Sequence, residues 1–180
     1  MRHGQALSNV RAICSNWPET FYNPLTKLGR EIVEESTWKI LGKNIDLIFA
    51  SPLLRTQQTA AIVGKFLKVE PKIDRRLREI GFGKYNGGSL EKMWKHFKKE
   101  NDRIRRGADG GETYSDILKR MLDFLKSIEK KYKGKNILIV SHEGPLFLLQ
   151  GKVMGLSIKK TIKKFPLEKR IHKAEVRELN

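Results

Sequence analysis

The sequence predicts an α/β fold: a three-layer sandwich with a mostly parallel central sheet flanked by helices. Two strand-then-helix units carry that prediction. Ile45-Asp46-Leu47-Ile48-Phe49-Ala50 is a short, almost continuous apolar run closed by Ser51-Pro52. Asn136-Ile137-Leu138-Ile139-Val140 is a second, closed by Ser141-His142-Glu143-Gly144-Pro145. A strand buried on both faces reads as a run rather than an alternation, and a helix after each such strand returns the chain to a parallel neighbour.

In chain order, the spacing predicts a helix over Thr26–Leu41, then the strand at 45–50. Ser51 is the expected N-cap of the next helix, with Pro52 at its first position. That helix runs over Leu53–Leu67, with Leu54, Ala61, Ile62 and Phe66 at helical spacing. A weaker strand covers Lys72–Asp74. The segment from about 81 to 111 lies between strand-like units and reads as a small helical cap inserted over the end of the sheet. It holds a helix at Ser89–Arg106. Further helices are expected at Glu112–Tyr132, Leu146–Met154 and Ser157–Lys164. The polar–apolar alternation of Lys173–Leu179 suits an edge strand. Residues 1–180 read as one domain with that insertion.

Composition narrows the function classes. Hydrophobic residues are 39% and charged residues 32% of the chain, which excludes a disordered or fibrous protein. Lys and Arg number 37 against 20 Asp and Glu, a formal net charge of +17. Such a balance draws polyanions: nucleic acid, an acidic membrane surface or phosphorylated small molecules. The plainer reading is a solvated Lys-rich surface. One cysteine, Cys14, excludes an internal disulfide framework and a multi-thiolate zinc site, and fits a reducing cytoplasm. It has no activating neighbour in the sequence. No segment approaches the ~20 apolar residues of a membrane span, and the N-terminus carries no apolar leader.

Chemistry collects where the two strands end. In open α/β sheets ligands bind beyond the carboxyl ends of the strands. Arg55 falls in the first turn of one following helix and His142 beside the first turn of the other. Free N–H groups and the positive dipole end suit an anion there, and a guanidinium fork matches phosphate oxygens. Taken singly, each residue is more often structural: a first-turn Arg usually makes a surface ion pair.

The order of motifs changes that balance. Arg2-His3-Gly4-Gln5-Ala6-Leu7-Ser8-Asn9, Ser51-Pro52-Leu53-Leu54-Arg55, Leu77-Arg78-Glu79 and Val140-Ser141-His142-Glu143-Gly144 follow one another. With the helix starts at Leu25–Gly29 and Gly110–Thr113, this pattern closely resembles the histidine phosphatase superfamily, in its phosphoglycerate-mutase-like branch, over nearly the whole chain. The resemblance implies that His3 is the nucleophile taking the phosphoryl group. It implies that Arg2, Arg55 and His142 hold the phosphoryl oxygens, with Asn9 a further contact, and that Glu79 is the proton donor. Phosphoryl transfer needs such a set: an in-line nucleophile, positive charge around the equatorial oxygens and an acid for the leaving alkoxide. No metal or other cofactor is expected.

The resemblance leaves the activity open between phosphatase and cofactor-dependent phosphoglycerate mutase. A mutase must shield its phosphoenzyme from water, which calls for a substantial lid. Only 62 residues lie between Glu79 and His142, which favours a phosphatase acting on phosphomonoesters. Basic cap residues, Lys92, Lys95 and Arg103 foremost, are the candidate contacts to substrates with several negative charges, such as sugar bisphosphates or nucleotides. A third reading is a basic nucleic-acid-binding protein with an impaired site; no nucleic-acid motif is present, so nucleic acid is not the expected partner. A homodimer is left open. His96 and His172 read as surface residues, and Trp17, Trp38 and Trp94 as packing residues. Glu112, Asp116 and Arg120 are expected to cap and pair within one helix.

One family feature is missing. Members begin with a buried central strand that delivers the Arg-His-Gly triplet, whereas only Met1 precedes Arg2 here. Either the start is misassigned or trimmed, with Met1 in place of the strand's last apolar residue, or the strand is lacking; the second case implies a nucleophile on a fraying terminus, two open sheet edges, and a terminal amine adding a cation near the phosphate site. A chain extended by five or six apolar-rich residues is then expected to be more active and to melt higher; equal activity and Tm would refute this.

Overall fold

The computed structural model describes residues 1–179. Its sheet has three parallel strands, β1 (Leu47–Ala50), β2 (Pro71–Ile73) and β3 (Ile137–Val140), in the order β2-β1-β3. Phe49 of β1 stands opposite Lys72 on one side and Ile139 on the other. Ile48, Phe49 and Ala50 are all buried, which is why β1 shows no polar alternation. β2 is the edge, and its Lys72 and Ile73 are exposed.

The period-2 pleat sorts the strand side chains between two helical layers. Ile48, Ala50, Leu138 and Val140 pack with Val33 of α2 (Lys27–Trp38) and with Ala60 and Val63 of α3 (Leu54–Leu67). On the other face Phe49 packs with Ile117, Met121 and Phe124 of α5 (Tyr114–Lys131) and with Phe147 and Leu148 of α6 (Glu143–Val153). Short α1 (Leu7–Val10) follows the N-terminal triplet, α4 (Leu90–Lys95) lies between β2 and α5, and α7 (Ile158–Lys164) follows α6. No helix among the described residues is long and apolar enough to cross a membrane.

Several boundaries differ from the sequence reading for local reasons. α3 starts at Leu54, and Ser51 does not cap it. The Ser51 hydroxyl is taken by His142 instead, 2.8 Å away. α6 starts three residues early, with His142 at its N-cap. Pro145 fits there because first-turn amides have no intrahelical acceptor. The helix expected over Ser89–Arg106 is broken: α4 ends at Lys95, and the Asp102 carboxylate accepts the Lys99 amide (3.2 Å), opening a separate 3₁₀ turn over Glu100–Ile104. No strand forms at 173–179, where Ala174 has φ +60° and breaks the pleat. The chain there still clasps the N-terminus: Arg2 N–H donates to Glu175 O and Ala174 N–H to His3 O, both 3.1 Å.

The terminus is held rather than frayed. Met1 and His3 are 4% and 2% exposed. His3 N–H donates to Ser141 O, and Ser141 N–H to Met1 O, so residues 1–3 continue the parallel ladder beside β3. The Met1 amine donates to Ile139 O at 2.8 Å, and burial pushes its pKa down to about 5. At neutral pH it is uncharged, so it adds no cation to the phosphate site. Beside Met1 and Ile137–Ile139 lies a largely apolar cavity of about 740 Å³, also bordered by Leu125, Ile128 and Val176. It contains none of the proposed catalytic groups.

Trp17, Trp38 and His96 depart from expectation, while His172 and Cys14 do not. Trp38 is 62% exposed, edge-on to Phe66, and Trp17 is 41% exposed beneath the Arg75 guanidinium. His96 is half-buried against Phe97 and Tyr85, while His172 is exposed. Cys14 is buried, and desolvation raises its thiol to about 11, which makes it unreactive.

Candidate active site

Backbone crowding places His3. A Cβ on Gly4 would lie 2.4 Å from Gly29 O, and one on Gly29 would lie 2.0 Å from Gln5 O. The loop after His3 therefore rests directly on the first turn of α2, which Thr26 caps by accepting the Gly29 amide. Gly4 N–H in turn donates to Thr59 Oγ1 of α3 at 3.1 Å. Gly29→Ala is expected to push this loop outward, an overpacking cost of about 1–3 kcal/mol and a Tm lower by several degrees. Activity should fall further than the Tm alone explains; a variant with native Tm and activity would contradict the placement.

His3 and His142 face each other edge-on, ring centroids 5.1 Å apart, at the carboxyl end of the sheet. His3 Nδ1–H donates to Gly4 O at 2.6 Å, which leaves Nε2 with its lone pair. That lone pair accepts from Arg55 Nε at 3.1 Å. Arg55 Nη2 donates to His142 Nδ1 at 3.1 Å, and His142 Nε2–H donates to Ser51 Oγ. Burial, then the Arg55 charge, holds both imidazoles well below their usual pKa, so both are neutral at pH 7.

Arg55 is itself 3% exposed and fixed by Ser15, whose hydroxyl and carbonyl it reaches at 3.1 and 2.9 Å, and by Glu19 at 3.5 Å. Burial lowers it to about 10, still cationic at neutral pH. Glu19 also accepts the Leu54 amide, closing the start of α3. Arg2 Nη1 pairs with Glu143 at 2.7 Å and donates to Ile171 O. The buried Arg2 Nε has no partner among the described residues, so one donor is left for an anion. Asn9 Oδ1 accepts the Ala6 amide, which leaves its amide NH₂ for the cavity.

Glu79 Oε2 lies 3.9 Å from His142 Nδ1, and its Oε1 accepts the Ile80 amide. Burial raises its carboxyl pKa, against the opposing pull of the Ile80 bond and Arg55. Its loop is held from α5: Arg120 donates to Glu79 O (3.1 Å) and Arg76 O (2.6 Å), while Glu112 accepts the Gly81 amide (2.8 Å). Arg120 and Glu112 do pair, at 3.0 Å, but their reach extends past the helix to the loop carrying Glu79.

One cavity of about 300 Å³ joins Arg2, His3, Asn9, Arg55 and Glu79 to Phe82, Leu90, Met93, Trp94 and Arg103. Lys92 and Lys95 are exposed and outside that lining; Lys95 pairs with Glu91 along α4. Of the expected cap contacts only Arg103 reaches the cavity. Sequence reading missed Ser15, Glu19, Ser51, Glu143 and Arg170; the last is 2% exposed and pairs with Glu100 at 2.5 Å and Glu143 at 3.5 Å. No cluster of metal-ligating side chains occurs among the described residues.

An imidazole ringed by guanidiniums, beyond the carboxyl ends of parallel strands, is the site of an α/β enzyme that handles phosphoryl groups. Comparison with known proteins gives the family. The profile of the histidine phosphatase superfamily (branch 1) matches residues 1–176, and the chain belongs to that superfamily. It is 23% identical over 144 residues to phosphoserine phosphatase 1 of Hydrogenobacter thermophilus, covering 76% of this chain and 67% of that protein. It is 27% identical over 161 residues to a Yersinia pestis (strain Pestoides F) protein named "Probable phosphoglycerate mutase GpmB", covering 87% and 74%. The crystal structure of an alpha-ribazole phosphatase from Shigella flexneri superimposes with a TM-score of 0.80 at 25% identity, covering 97% of this chain and 85% of that one.

Proposed function

We propose that this protein hydrolyses phosphomonoesters through a phosphohistidine on His3. The observation that carries the proposal is the pair of contacts to His3: a carbonyl, Gly4 O, 2.6 Å from Nδ1, which holds the ring proton there, and a donor, Arg55 Nε, 3.1 Å from Nε2, which leaves the lone pair on Nε2. In the first step Nε2 attacks phosphorus and the P–O bond to the alcohol breaks. Arg2, Arg55 and Asn9 hold the phosphoryl oxygens, with neutral His142 beside them. Glu79 gives its proton to the departing alkoxide, so alcohol, phospho-His3 and a Glu79 carboxylate result. In the second step that carboxylate takes a proton from water, the oxygen attacks phosphorus, and the P–N bond breaks. Inorganic phosphate leaves, with His3 neutral and Glu79 protonated again.

Two features support hydrolysis over mutase chemistry. The connection between Glu79 and His142 is short, and its α4 and 3₁₀ turn enclose only about 300 Å³, the lower end for ligand sites. Little lid is available to exclude water from a phosphoenzyme. The likeness to GpmB supports the mutase reading, and product analysis separates the two. With 3-phosphoglycerate as substrate, stoichiometric inorganic phosphate supports the phosphatase. Formation of 2-phosphoglycerate without phosphate release would overturn it.

A further inference from the structure

Four guanidiniums line the active-site cavity, and one differs from the rest. Arg2 faces Glu143, Arg55 faces Glu19, and Arg170 faces Glu100 and Glu143. Arg103 is 5% exposed yet has no carboxylate within ion-pair reach among the described residues. Its Nη1 donates to the Tyr114 hydroxyl at 3.1 Å. That hydroxyl donates onward to Glu100, whose charge is already shared with Arg170. The Arg103 guanidinium lies over aromatic rings, 4.5 Å from the Trp94 ring centre, 4.7 Å from that of Tyr114 and 5.4 Å from that of Phe97. Those faces offset part of its desolvation but leave the charge unneutralised. The cavity that holds Arg2, Arg55 and Asn9 thus also carries a buried cation, Arg103, with no carboxylate paired to it among the described residues.

Resting on the phosphatase reading, we propose that Arg103 selects the substrate: a small phosphomonoester whose alcohol part bears a carboxylate, which the Arg103 fork receives. A carboxylate fits better than a second phosphate. One guanidinium matches a monoanion, whereas the dianionic phosphoryl group meets Arg2, Arg55 and Asn9 together. Arg170, the other guanidinium outside the phosphoryl set, is already paired with Glu100 and Glu143, and Phe82, Leu90 and Met93 add no cation. The volume suits an alcohol of a few carbons.

The test compares 3-phosphoglycerate and O-phosphoserine with glycerol 3-phosphate and phosphoethanolamine, which match them but lack the carboxylate. The native protein should favour the carboxylate-bearing pair by roughly 10- to 100-fold in kcat/KM. Arg103→Met should collapse that ratio toward one, chiefly through KM, and Arg103→Lys should keep part of it. No preference in the native protein, a higher kcat/KM for glycerol 1,3-bisphosphate run alongside, or an equal loss on all four monoesters would overturn the proposal. Calorimetric binding to the His3→Ala protein keeps the two readings apart. Binding of 3-phosphoglycerate that weakens when Arg103→Met is added upholds the Arg103 assignment even if no substrate is turned over. Binding indifferent to Arg103 refutes it even if turnover is fast.

Discussion

Replacing His3 by alanine is expected to lower kcat/KM for any phosphomonoester by at least about 10⁴-fold, the scale seen when a covalent nucleophile is removed. His3 has no understudy. His142 is the other nearby imidazole, but it is fully buried and, unlike His3, does not line the cavity that would receive the phosphoryl group. The variant should stay folded, because the clasp of residues 1–3 between Ser141 and Glu175 is made by backbone groups. A cooperative melt with activity gone is the expected pair of observations. Activity within tenfold of native would contradict the assignment.

Glu79→Gln carries the next largest effect, a fall in kcat/KM of about 10²- to 10⁴-fold for substrates with an alkoxide leaving group, since kcat/KM reports only the steps through phosphoenzyme formation. The fall should be much smaller for p-nitrophenyl phosphate, whose leaving group needs no proton. The pH profile supplies a second signature. kcat/KM requires neutral His3, whose pKa lies well below 6.5, so activity is lost as pH falls through that lowered value. It also requires protonated Glu79, whose pKa burial raises above 4.5, so activity is lost as pH rises through the raised value. Glu79→Gln should abolish the alkaline limb and leave the acid limb in place. An unchanged bell, or an equal loss on both leaving groups, would show that another group supplies the proton.

Much of the architecture was legible because burial on both faces writes itself as apolar runs. β1 and β3 announce themselves this way, and with them the carboxyl edge where Arg55 and His142 stand. The catalytic candidates were legible because each sits in a motif at a strand end. What holds them in place was not. Ser15 and Glu19 grip Arg55 across 40 and 36 positions, and Glu143 and Arg170 meet only once α6 and the C-terminal segment have packed. No local periodicity encodes such pairs. Ser51 shows the ambiguity directly: its position before a helix suits a cap, and its hydroxyl orients a histidine 91 residues away. The cap is similar. Its basic run gave no sign that Lys92 and Lys95 face solvent while Arg103 turns inward over aromatic rings. The +17 charge is mostly such solvated surface, and among the described residues only Arg2, Arg55, Arg103 and Arg170 of it line the candidate cavity.

The central claim is a covalent phosphohistidine at position 3. Rapid quenching of native protein during turnover of a ³²P-labelled phosphomonoester, followed by peptide mapping, tests it most directly. The expected label is stable to base, labile to acid, confined to the N-terminal peptide containing His3, and absent from His3→Ala. An acid-stable label, a label elsewhere in the chain, or full turnover in His3→Ala with no trapped intermediate would contradict it.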